Sequence, residues 1–394
     1  MLDSAGNISN GQINVEDGPG RVLQLNLDYV LPIGEANKFE AGYQSRMGRS
    51  TDLTELYIYN EATGEFDKQP EFSNETDYLR DIHSLYDIYG GEKGKLGYQV
   101  GIRGEYTYRV IESAKIVEKS YIDRLDYFPS VHFSYKLPAE QQIMASYSRR
   151  IERPRSWYLE PFITWEDAFN VRQGHPDLKP EYIDEMEAAY LIGFGEHSLS
   201  FEGYYRITNN KVERIQSVYA ENAMLSRPEN VGQDFALGAE MALGLSLFKW
   251  WKMDISGNFY QYRLEGEYEE IIFERESFNW NSRFSNTFRF GEGTRIQLNS
   301  RYNSATVTAQ GTRGDYWTAD IAVSQEFFKK RMSAILQVRD MFGKVVRDRE
   351  SMGSDFMSRS EYYNKAPQVR LTVNYRFNNY KKKRNGGGGD DDEF

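Results

Sequence analysis

The chain has 394 residues, no cysteine and a formal net charge of −11 at pH 7. The lack of cysteine excludes a disulfide framework, a thiolate metal site and a cysteine nucleophile. The negative charge argues against nucleic acid as a partner, because phosphate binding requires a basic surface. The mean hydropathy of −0.69 and the lack of a long apolar run exclude a helical membrane protein. A membrane β-barrel remains open, because its strands are only half apolar.

The N-terminal residues show no secretion signal, because neither a basic segment nor an apolar segment stands before residue 20. An exported protein needs such a signal. We therefore expect that the chain is either cytoplasmic or preceded by further sequence.

Alternation with a period of two dominates the chain. In the first such segment Leu23, Leu25 and Leu27 alternate with Gln24 and Asn26, which places one face in an apolar medium and the other in a polar one. Many segments reach ten residues or more, whereas strands of soluble proteins average about five or six. About 15 segments show the pattern: 21–33, 37–59, 75–89, 94–110, 122–137, 140–152, 181–193, 197–215, 233–247, 250–265, 276–290, 293–308, 315–328, 331–345 and 366–377.

Tight turns and long loops alternate along the chain. The long loops are predicted near 60–74, 111–121, 153–180, 216–232, 266–275, 307–314 and 346–365. Short turns on one side and long loops on the other are typical of an up-and-down outer-membrane barrel. Aromatic residues gather beside the tight turns, where an interfacial girdle is expected; they are Tyr89, Phe194, Phe248, Trp250, Trp251, Phe290, Phe327 and Phe328.

Three parts follow from this pattern. Residues 1–20 are predicted to be a truncated external loop or N-terminal segment, and residues 21–377 a partial transmembrane β-barrel. Residues 378–394 form a charged tail whose glycine linker joins a basic cluster to an acidic one, and this composition predicts disorder. Strand parity places the tail on the periplasmic side.

The connection between Arg153-Pro154 and Lys179-Pro180-Glu181 is the longest. It has about 27 residues, and loops of that length on a β scaffold are usually functional or disordered. Its aromatic residues are candidates for ligand recognition, with packing of the loop into the barrel mouth as the alternative; they are Trp157, Tyr158, Phe162, Trp165 and Phe169. Opposed charges at the loop flanks are predicted to fix its register; the structural flank residues are Arg150, Arg153, Pro154, Lys179, Pro180 and Glu181.

The sequence predicts neither catalysis nor a cofactor. Its four histidines are scattered and no motif of a hydrolase, metalloprotease or nucleotide-binding enzyme is present. His175 in the long loop lacks an identifiable nucleophile to activate. The acid-rich stretch 265–276 shows no ordered ligand spacing, so solvated charge rather than a metal site is expected.

Five short segments together resemble one known family. Residues 101–107 resemble its GLRxExT strand, 150–154 its RIxRP strand end, and 174–181 its GNPxLKPE segment, with His175 in place of the asparagine. Residues 340–343 resemble its DxFN turn and 373–377 its closing strand. In this respect the chain is similar to the C-terminal barrel portion of Bacteroidota-type TonB-dependent outer-membrane receptors, the outer membrane protein beta-barrel group.

The resemblance implies a bacterial outer-membrane barrel of about 22 strands filled by an N-terminal plug. The first strand here would be about the eighth, so the plug and about seven strands are expected outside this sequence. Expected partners are outer-membrane lipids, the plug with the N-terminal barrel portion, TonB and a nutrient ligand, with a surface lipoprotein as a further candidate.

Three functions stay open at this point. The first is TonB-dependent uptake of a bulky nutrient that external loops recognise. The second is an outer-membrane scaffold or surface-binding barrel without active transport. The third is a soluble β-sandwich repeat protein, which would have to remain soluble with apolar rows such as Leu23, Leu25 and Leu27 exposed to water.

Overall fold

The computed structural model describes residues 11–113, 119–167 and 169–377. These contain 22 strands and one turn of 3₁₀-helix, Ser156–Tyr158. No helix in these ranges is long and apolar enough to cross a membrane. The strands are β1 (Gln12–Asp17), β2 (Gly20–Ile33), β3 (Asn37–Asn60), β4 (Glu65–Lys93), β5 (Leu96–Ser113), β6 (Ser120–Leu137), β7 (Gln141–Glu152), β8 (Ile163–Trp165), β9 (Asn170–Gln173), β10 (Glu181–Phe194), β11 (His197–Ala220), β12 (Ala223–Phe248), β13 (Trp251–Tyr268), β14 (Ile271–Phe290), β15 (Thr294–Asn303), β16 (Thr306–Thr308), β17 (Gly311–Arg313), β18 (Tyr316–Phe327), β19 (Met332–Arg339), β20 (Val346–Met352), β21 (Met357–Tyr363) and β22 (Gln368–Tyr375).

Fifteen of these strands form one antiparallel, up-and-down wall, which confirms the predicted fold class and strand number. Each pairs with the next along the chain in the order β2 to β7, β10 to β15, β18, β19 and β22. In the described ranges β2 pairs only with β3, and β22 only with β19. Strand β1 extends the wall by pairing with residues 53–58 of β3.

Alternation along the strands gives the wall two chemically different faces. We call the face that carries Leu27, Leu237 and Leu371 the apolar face, and these side chains are 58%, 63% and 66% exposed. On the opposite, polar face the guanidinium of Arg103 on β5 donates hydrogen bonds to Gln44 on β3 and Ser84 on β4. A soluble sheet would not leave so many large apolar side chains in water, so the apolar face is suited to lipid.

Seven connections of two to four residues close one end of the wall, here the short-turn end: 34–36, 94–95, 138–140, 195–196, 249–250, 291–293 and 328–331. Gly34 has a φ of +65°, and this left-handed conformation favours glycine. Phe248, Trp250 and Trp251 stack beside one of these turns and continue into Phe288 and Phe290. This cluster stands where the sequence predicts an aromatic girdle.

Three predicted long loops are wrong. The segments 60–74, 216–232 and 266–275 are strand rather than loop, and their hairpins close in tight turns at 61–64, 221–222 and 269–270. The strands continue because main-chain hydrogen bonds hold the ladder where the hydrophobic alternation fades. The predicted strand 331–345 is also too long, because β19 ends at Arg339.

The last two predicted long loops contain strands of their own. Strands β16, β17, β20 and β21 form a separate four-stranded sheet, which we call the mouth sheet. The side-chain amide of Gln310 bonds the main chain of Gln216 on β11 in both directions, at 2.7 and 2.9 Å. Ala309 packs with Ile215, Val231 and Leu264 in a buried cluster. The mouth sheet is therefore fixed to the wall at the end opposite the short turns.

The predicted domain boundaries after residues 20 and 377 stay predictions. The tail 378–394 lies outside the described residues, as do residues 1–10.

A charge on the apolar face should destabilise the wall, whereas the same charge on the polar face should not. We expect Met241→Arg to lower the free energy of unfolding by about 2–4 kcal/mol in lipid bilayers, as for arginine near the middle of other barrels. Ala242→Arg is the matched control, because its side chain lines an open cavity on the polar face. Urea unfolding in liposomes measures both variants, and equal losses would contradict the assignment of the faces.

Candidate functional site

Residues 153–180, here the inner loop, lie against the polar face of the wall. Leu159 and Leu178 of the loop form a buried cluster with Tyr78 of β4 and Ile111 of β5. Leu178 has no exposed surface, and a fully buried leucine contributes about 1.5–3 kcal/mol relative to an exposed one. The packing alternative for this loop therefore applies to the parts around Leu159 and Leu178.

The first half of the segment Gly174–Glu181 brings the loop against itself and against the wall. A Cβ on Gly174 would lie 2.5 Å from the main-chain nitrogen of Glu160, so only glycine permits this close approach. The His175 ring bonds the carboxylate of Glu229 on β12 at 2.8 Å. The carbonyl of Pro176 accepts a hydrogen bond of 2.8 Å from Arg109 on β5.

The second half attaches the loop to β11 and β12. The amide side chain of Asn230 accepts a hydrogen bond from the Lys179 main-chain nitrogen at 2.8 Å and donates one to the Lys179 carbonyl at 3.0 Å. Asn210 donates to the carbonyl of Pro180 at 3.2 Å. The carboxylate of Glu181 accepts from the main-chain nitrogen of Val212 at 2.7 Å. Through these contacts Lys179, Pro180 and Glu181 hold the end of the loop against β11 and β12.

The flank that enters the loop is held by ion pairs. Arg150 pairs with Glu185 across the β7–β10 hairpin, which is the kind of contact that the sequence predicts. Arg153 instead reaches back to Glu105 on β5. Pro154, the next residue, is buried. The register of the loop thus depends on a strand two hairpins away, and strand order alone gave no sign of it.

Two carboxylates of the polar face each lie between two arginines. Glu105 pairs with Arg153 and with Arg103, and Glu185 pairs with Arg150 and Arg206. Both carboxylates are more than nine-tenths buried. A buried charge is costly unless it is paired, and charge-assisted bonds from two guanidiniums offset that cost. Removing one arginine would leave the carboxylate only half compensated.

The structure does not bring the five predicted recognition residues to one surface. Phe162 is buried and Tyr158 packs against the cluster around Leu178, so both serve the packing of the loop. Trp157 and Trp165 are half-buried, and Phe169 is 62% exposed. Tyr158 is half-buried as well, but its packing against the loop cluster and its hydrogen bond from Arg214 engage it in the loop.

Arginines surround Trp157. The guanidiniums of Arg214 and Arg172 lie 4.5 and 5.6 Å from its ring centre, within the range of cation–π interaction. Arg172 also stands 3.7 Å from the carboxylate of Glu160. Burial raises the pKa of Glu160 to about 7; Arg172 opposes this shift, whereas Asp52 and Glu16 add to it. The loop therefore holds an acid that titrates near neutral pH.

Arg214 also joins the inner loop to the mouth sheet. Its guanidinium donates to the Tyr158 hydroxyl at 3.3 Å, and its carbonyl accepts from Arg349 of β20 at 3.0 Å. Nothing in the sequence indicates this junction, because residues 214 and 349 lie far apart in the chain and neither stands in a motif. The inner loop and the mouth sheet thus both contact Arg214 of β11.

A cavity of 530 Å³ opens between β1 and the inner loop. Its lining includes Glu16 of β1, Trp165 of β8, Arg172 of β9 and the intervening Glu166 and Asp167. Of the five aromatic residues proposed for recognition, Trp165 lines this cavity, and Trp157 lines a smaller one next to it. Within the described residues no group of three or more histidine, aspartate or glutamate side chains is arranged to hold a metal ion.

The sequence model of the outer membrane protein beta-barrel family matches residues 2–375. The chain belongs to this family. It is therefore a protein of the bacterial outer membrane, its apolar face contacts lipid, and its polar face is the lumen face. Short turns of such barrels face the periplasm, so the inner loop and the mouth sheet lie at the external mouth.

Solved barrels share this fold at low sequence identity. The ferric citrate transporter FecA in its unliganded form has a TM-score of 0.62 at 12% identity, with 92% of this chain and 55% of FecA covered. The copper transporter OprC has 0.63 at 12%, covering 91% and 56%. The ferric yersiniabactin uptake receptor FyuA from Yersinia pestis has 0.58 at 12%, covering 92% and 53%. No curated protein sequence matches the chain.

The chain thus spans just over half the length of these solved structures. They are transporters and a receptor rather than enzymes, which agrees with the lack of catalytic motifs in this sequence. The likeness to TonB-dependent receptors is confirmed at the level of the fold. The Bacteroidota origin stays a prediction.

Replacing Gly174 should release the inner loop. In Gly174→Ala the added methyl group meets the main chain of residues 158 and 160, and we expect local stability to fall by about 1–3 kcal/mol. Hydrogen exchange of residues 158–178 measures the change. Gly104→Ala is the control, because a Cβ there would make ordinary contact with Tyr127 at 3.7 Å. Equal exchange in the two variants would contradict the close approach.

The inner loop should loosen as the pH rises. The pKa of Glu160 is about 7 in the folded loop and 4.5 in its ordinary state, so the folded loop keeps a proton that the unfolded loop has lost. Stability therefore falls between pH 4.5 and 7. We expect faster hydrogen exchange of the loop at pH 8 than at pH 5, after correction for intrinsic rates. Glu160→Gln should remove the difference, and an unchanged difference in that variant would assign it to another group.

Proposed function

We propose that the chain is the barrel portion of an outer-membrane receptor that takes up a bulky nutrient recognised at the external mouth. The observation that carries this proposal is the inner loop, which is attached to the lumen face at both flanks and holds a cavity with aromatic and charged walls at the entrance. A loop that is fixed in this way can present a preorganised binding surface, which lowers the entropic cost of binding.

The solved barrels of this fold support an uptake function. They are named as transporters of ferric citrate and copper and as an uptake receptor for ferric yersiniabactin. A second cavity, of 930 Å³, opens on the lumen face near the short turns, lined among others by Gln142, Ser200 and Ser256. Polar lumen side chains suit passage of a hydrated solute rather than storage of an apolar one.

Within this proposal the recognition residues are Trp157, Trp165 and Phe169. Phe162 and Tyr158 support the loop instead. Passage would require a plug, supplied by further sequence or by another chain, and energy transmitted by TonB, because the outer membrane has no nucleotide supply. A surface lipoprotein is a further partner of the same mouth.

Uptake by this barrel should fail when either the barrel or TonB is lost. We would grow wild-type, gene-deletion and TonB-deletion strains in a medium supplemented with ferric citrate, ferric siderophores, cobalamin, oligosaccharides and peptides, and follow depletion by mass spectrometry. We expect one nutrient class to stay in the medium of both deletion strains. The gene carrying Trp157→Ala and Trp165→Ala should restore its uptake poorly, whereas the gene carrying Glu292→Gln, a change at an exposed residue of a short turn outside both cavities, should restore it fully.

The competing function is a surface scaffold without active transport. Normal depletion of every nutrient in the gene-deletion strain would overturn the uptake proposal and favour the scaffold. Depletion of a nutrient that requires the barrel but not TonB would contradict only the proposal that TonB supplies the energy.

A further inference from the structure

The last strand of the mouth sheet, β21 (Met357–Tyr363), has one free edge. It pairs with β20 over seven residues without a register shift, and in the described ranges no other strand pairs with it. It contains no proline. Prolines, bulges and very short length are common means of protecting an edge strand from pairing with another chain. Strand β21 therefore presents a regular, unprotected edge at the external mouth.

The hydrogen bonds of the β20–β21 hairpin show which amides point outward. The main-chain nitrogen of Gly353 donates to the carbonyl of Phe356 at the tip, whereas that of Met352 donates away from β21, to Gln310. Because bonded and non-bonded pairs alternate along an antiparallel ladder, every second amide of β21 points away from β20. None of these amides has a hydrogen-bond partner within the described residues. They belong to Met357, Arg359, Glu361 and Tyr363.

This row of main-chain groups specifies the shape of its ligand. The outward amides and carbonyls recur about every 7 Å, which is twice the rise per residue of a strand. An extended peptide has the same repeat and can bond the whole row, as peptides do when they add a strand to an exposed sheet edge. A sugar or a small organic acid matches the row at one point only.

Large exposed side chains flank the free edge on both faces. The side chain of Met357 is 70% exposed, and those of Tyr362 and Tyr363 are each 64% exposed. The two tyrosines are neighbours in the strand, so they point to opposite faces of the mouth sheet. Methionine and tyrosine are enriched where proteins contact other chains. These side chains are therefore a second, independent sign that a peptide covers the edge.

The face of the mouth sheet that carries Arg359 has an excess of negative charge. The guanidinium lies 3.0, 3.6 and 3.8 Å from the carboxylates of Glu361, Glu350 and Asp348. One positive charge thus stands among three negative ones. A basic side chain on an added strand would lie beside Glu361, and opposite charges on neighbouring strands stabilise their pairing.

The opposite face of the mouth sheet holds the edge in place. Ser351 on that face of β20 is buried, and Arg349 donates to the carbonyl of Arg214 on the wall at 3.0 Å. The edge and the acidic face are therefore presented by a sheet that is already fixed to the barrel. A preorganised template lowers the entropic cost of binding an extended chain.

We propose that β21 binds an extended peptide as an added strand, and that the peptide carries basic side chains on the face of Glu361. The assignment of peptides as the nutrient class rests on the proposed function above. The binding itself does not, and it can be measured on the isolated protein.

The test is calorimetric titration of the purified full chain, in an uncharged polyoxyethylene detergent, with the peptide acetyl-TKTKTKT-amide. We expect this peptide to bind, and acetyl-TETETET-amide to bind about tenfold more weakly or not at all, because its charges repel the acidic face. Glu361→Gln should weaken binding of the lysine peptide about two- to fivefold, as expected for one cross-strand ion pair.

N-methylation of the lysine peptide tests the main-chain pairing separately. One form is methylated on the lysine nitrogens and the other on the threonine nitrogens. Only one edge of an added strand faces β21, so one form should lose about tenfold or more in affinity while the other stays within about threefold. Equal losses in the two forms would overturn strand addition.

The matched control for the charge is Glu61→Gln, which removes one exposed carboxylate from the β3–β4 turn. A loss of affinity equal to that of Glu361→Gln would mean diffuse attraction to a negative protein and would overturn the site. Equal binding of the lysine and glutamate peptides would overturn the basic assignment.

Hydrogen exchange locates the bound peptide. We expect the lysine peptide to protect the amides of residues 357–363 and to leave those of β1, another edge strand at the mouth, unchanged. Protection of β1 instead would overturn the assignment to β21. Protection of residues 357–363 without peptide, in a chain with the mass of a dimer, would show that β21 pairs with a second copy and would also overturn it.

The outcomes separate this site from the uptake proposal. No binding of the lysine peptide, together with loss of uptake of another nutrient class in the gene-deletion strain, would overturn the site and leave uptake standing. Peptide binding at residues 357–363, together with normal nutrient depletion in that strain, would support the site and overturn uptake.

Discussion

Main-chain hydrogen bonding in a medium without water is the constraint on which this structure depends. Each amide left unpaired in hydrocarbon costs several kcal/mol, so a chain that crosses a bilayer as strands must pair every strand with a neighbour. The fifteen-stranded wall meets this demand between its strands by pairing each with the next in sequence, and in the described ranges only the outer edges of β2 and β22 are left without a paired strand. Once the ladder is in place, the period of two assigns lipid to one face and the lumen to the other. The side chains of the loops then have only one surface on which to pack.

The same constraint explains how much of the fold the sequence predicts. Inside the bilayer the alternation of Leu23, Leu25 and Leu27 with polar residues is required, and the number and order of strands can be counted from it. Beyond the bilayer the ladder of β3 and β4 runs on to Asn60 and Glu65 without such alternation. Pattern alone therefore predicts loops where hairpins stand, and it misses the mouth sheet entirely.

The candidate site, like the fold, is only partly predictable from the sequence. The sequence identifies the inner loop, its flanks and its aromatic residues, because prolines and length mark them. It gives no means of deciding which aromatic side chain is buried. Phe162 and Phe169 look alike in sequence, yet one is 8% and the other 62% exposed. Long-range contacts such as Arg153 with Glu105, or Arg349 with Arg214, join residues of different strands that are far apart in the chain, and they leave no local signal.

In the proposed receptor, the contacts of the segment Gly174–Glu181 separate attachment of the loop from selection of the ligand. Gly174, His175, Pro176 and Leu178 are used to hold the loop to itself and to the barrel, whereas residues 164–167 at the cavity lie outside that segment. A protein built in this way could exchange its ligand through a few substitutions in the middle of the loop while its anchoring segment stayed the same. A sequence search that uses this segment would therefore group receptors that attach the loop to the barrel in the same way. Receptors for unrelated compounds would then share the segment.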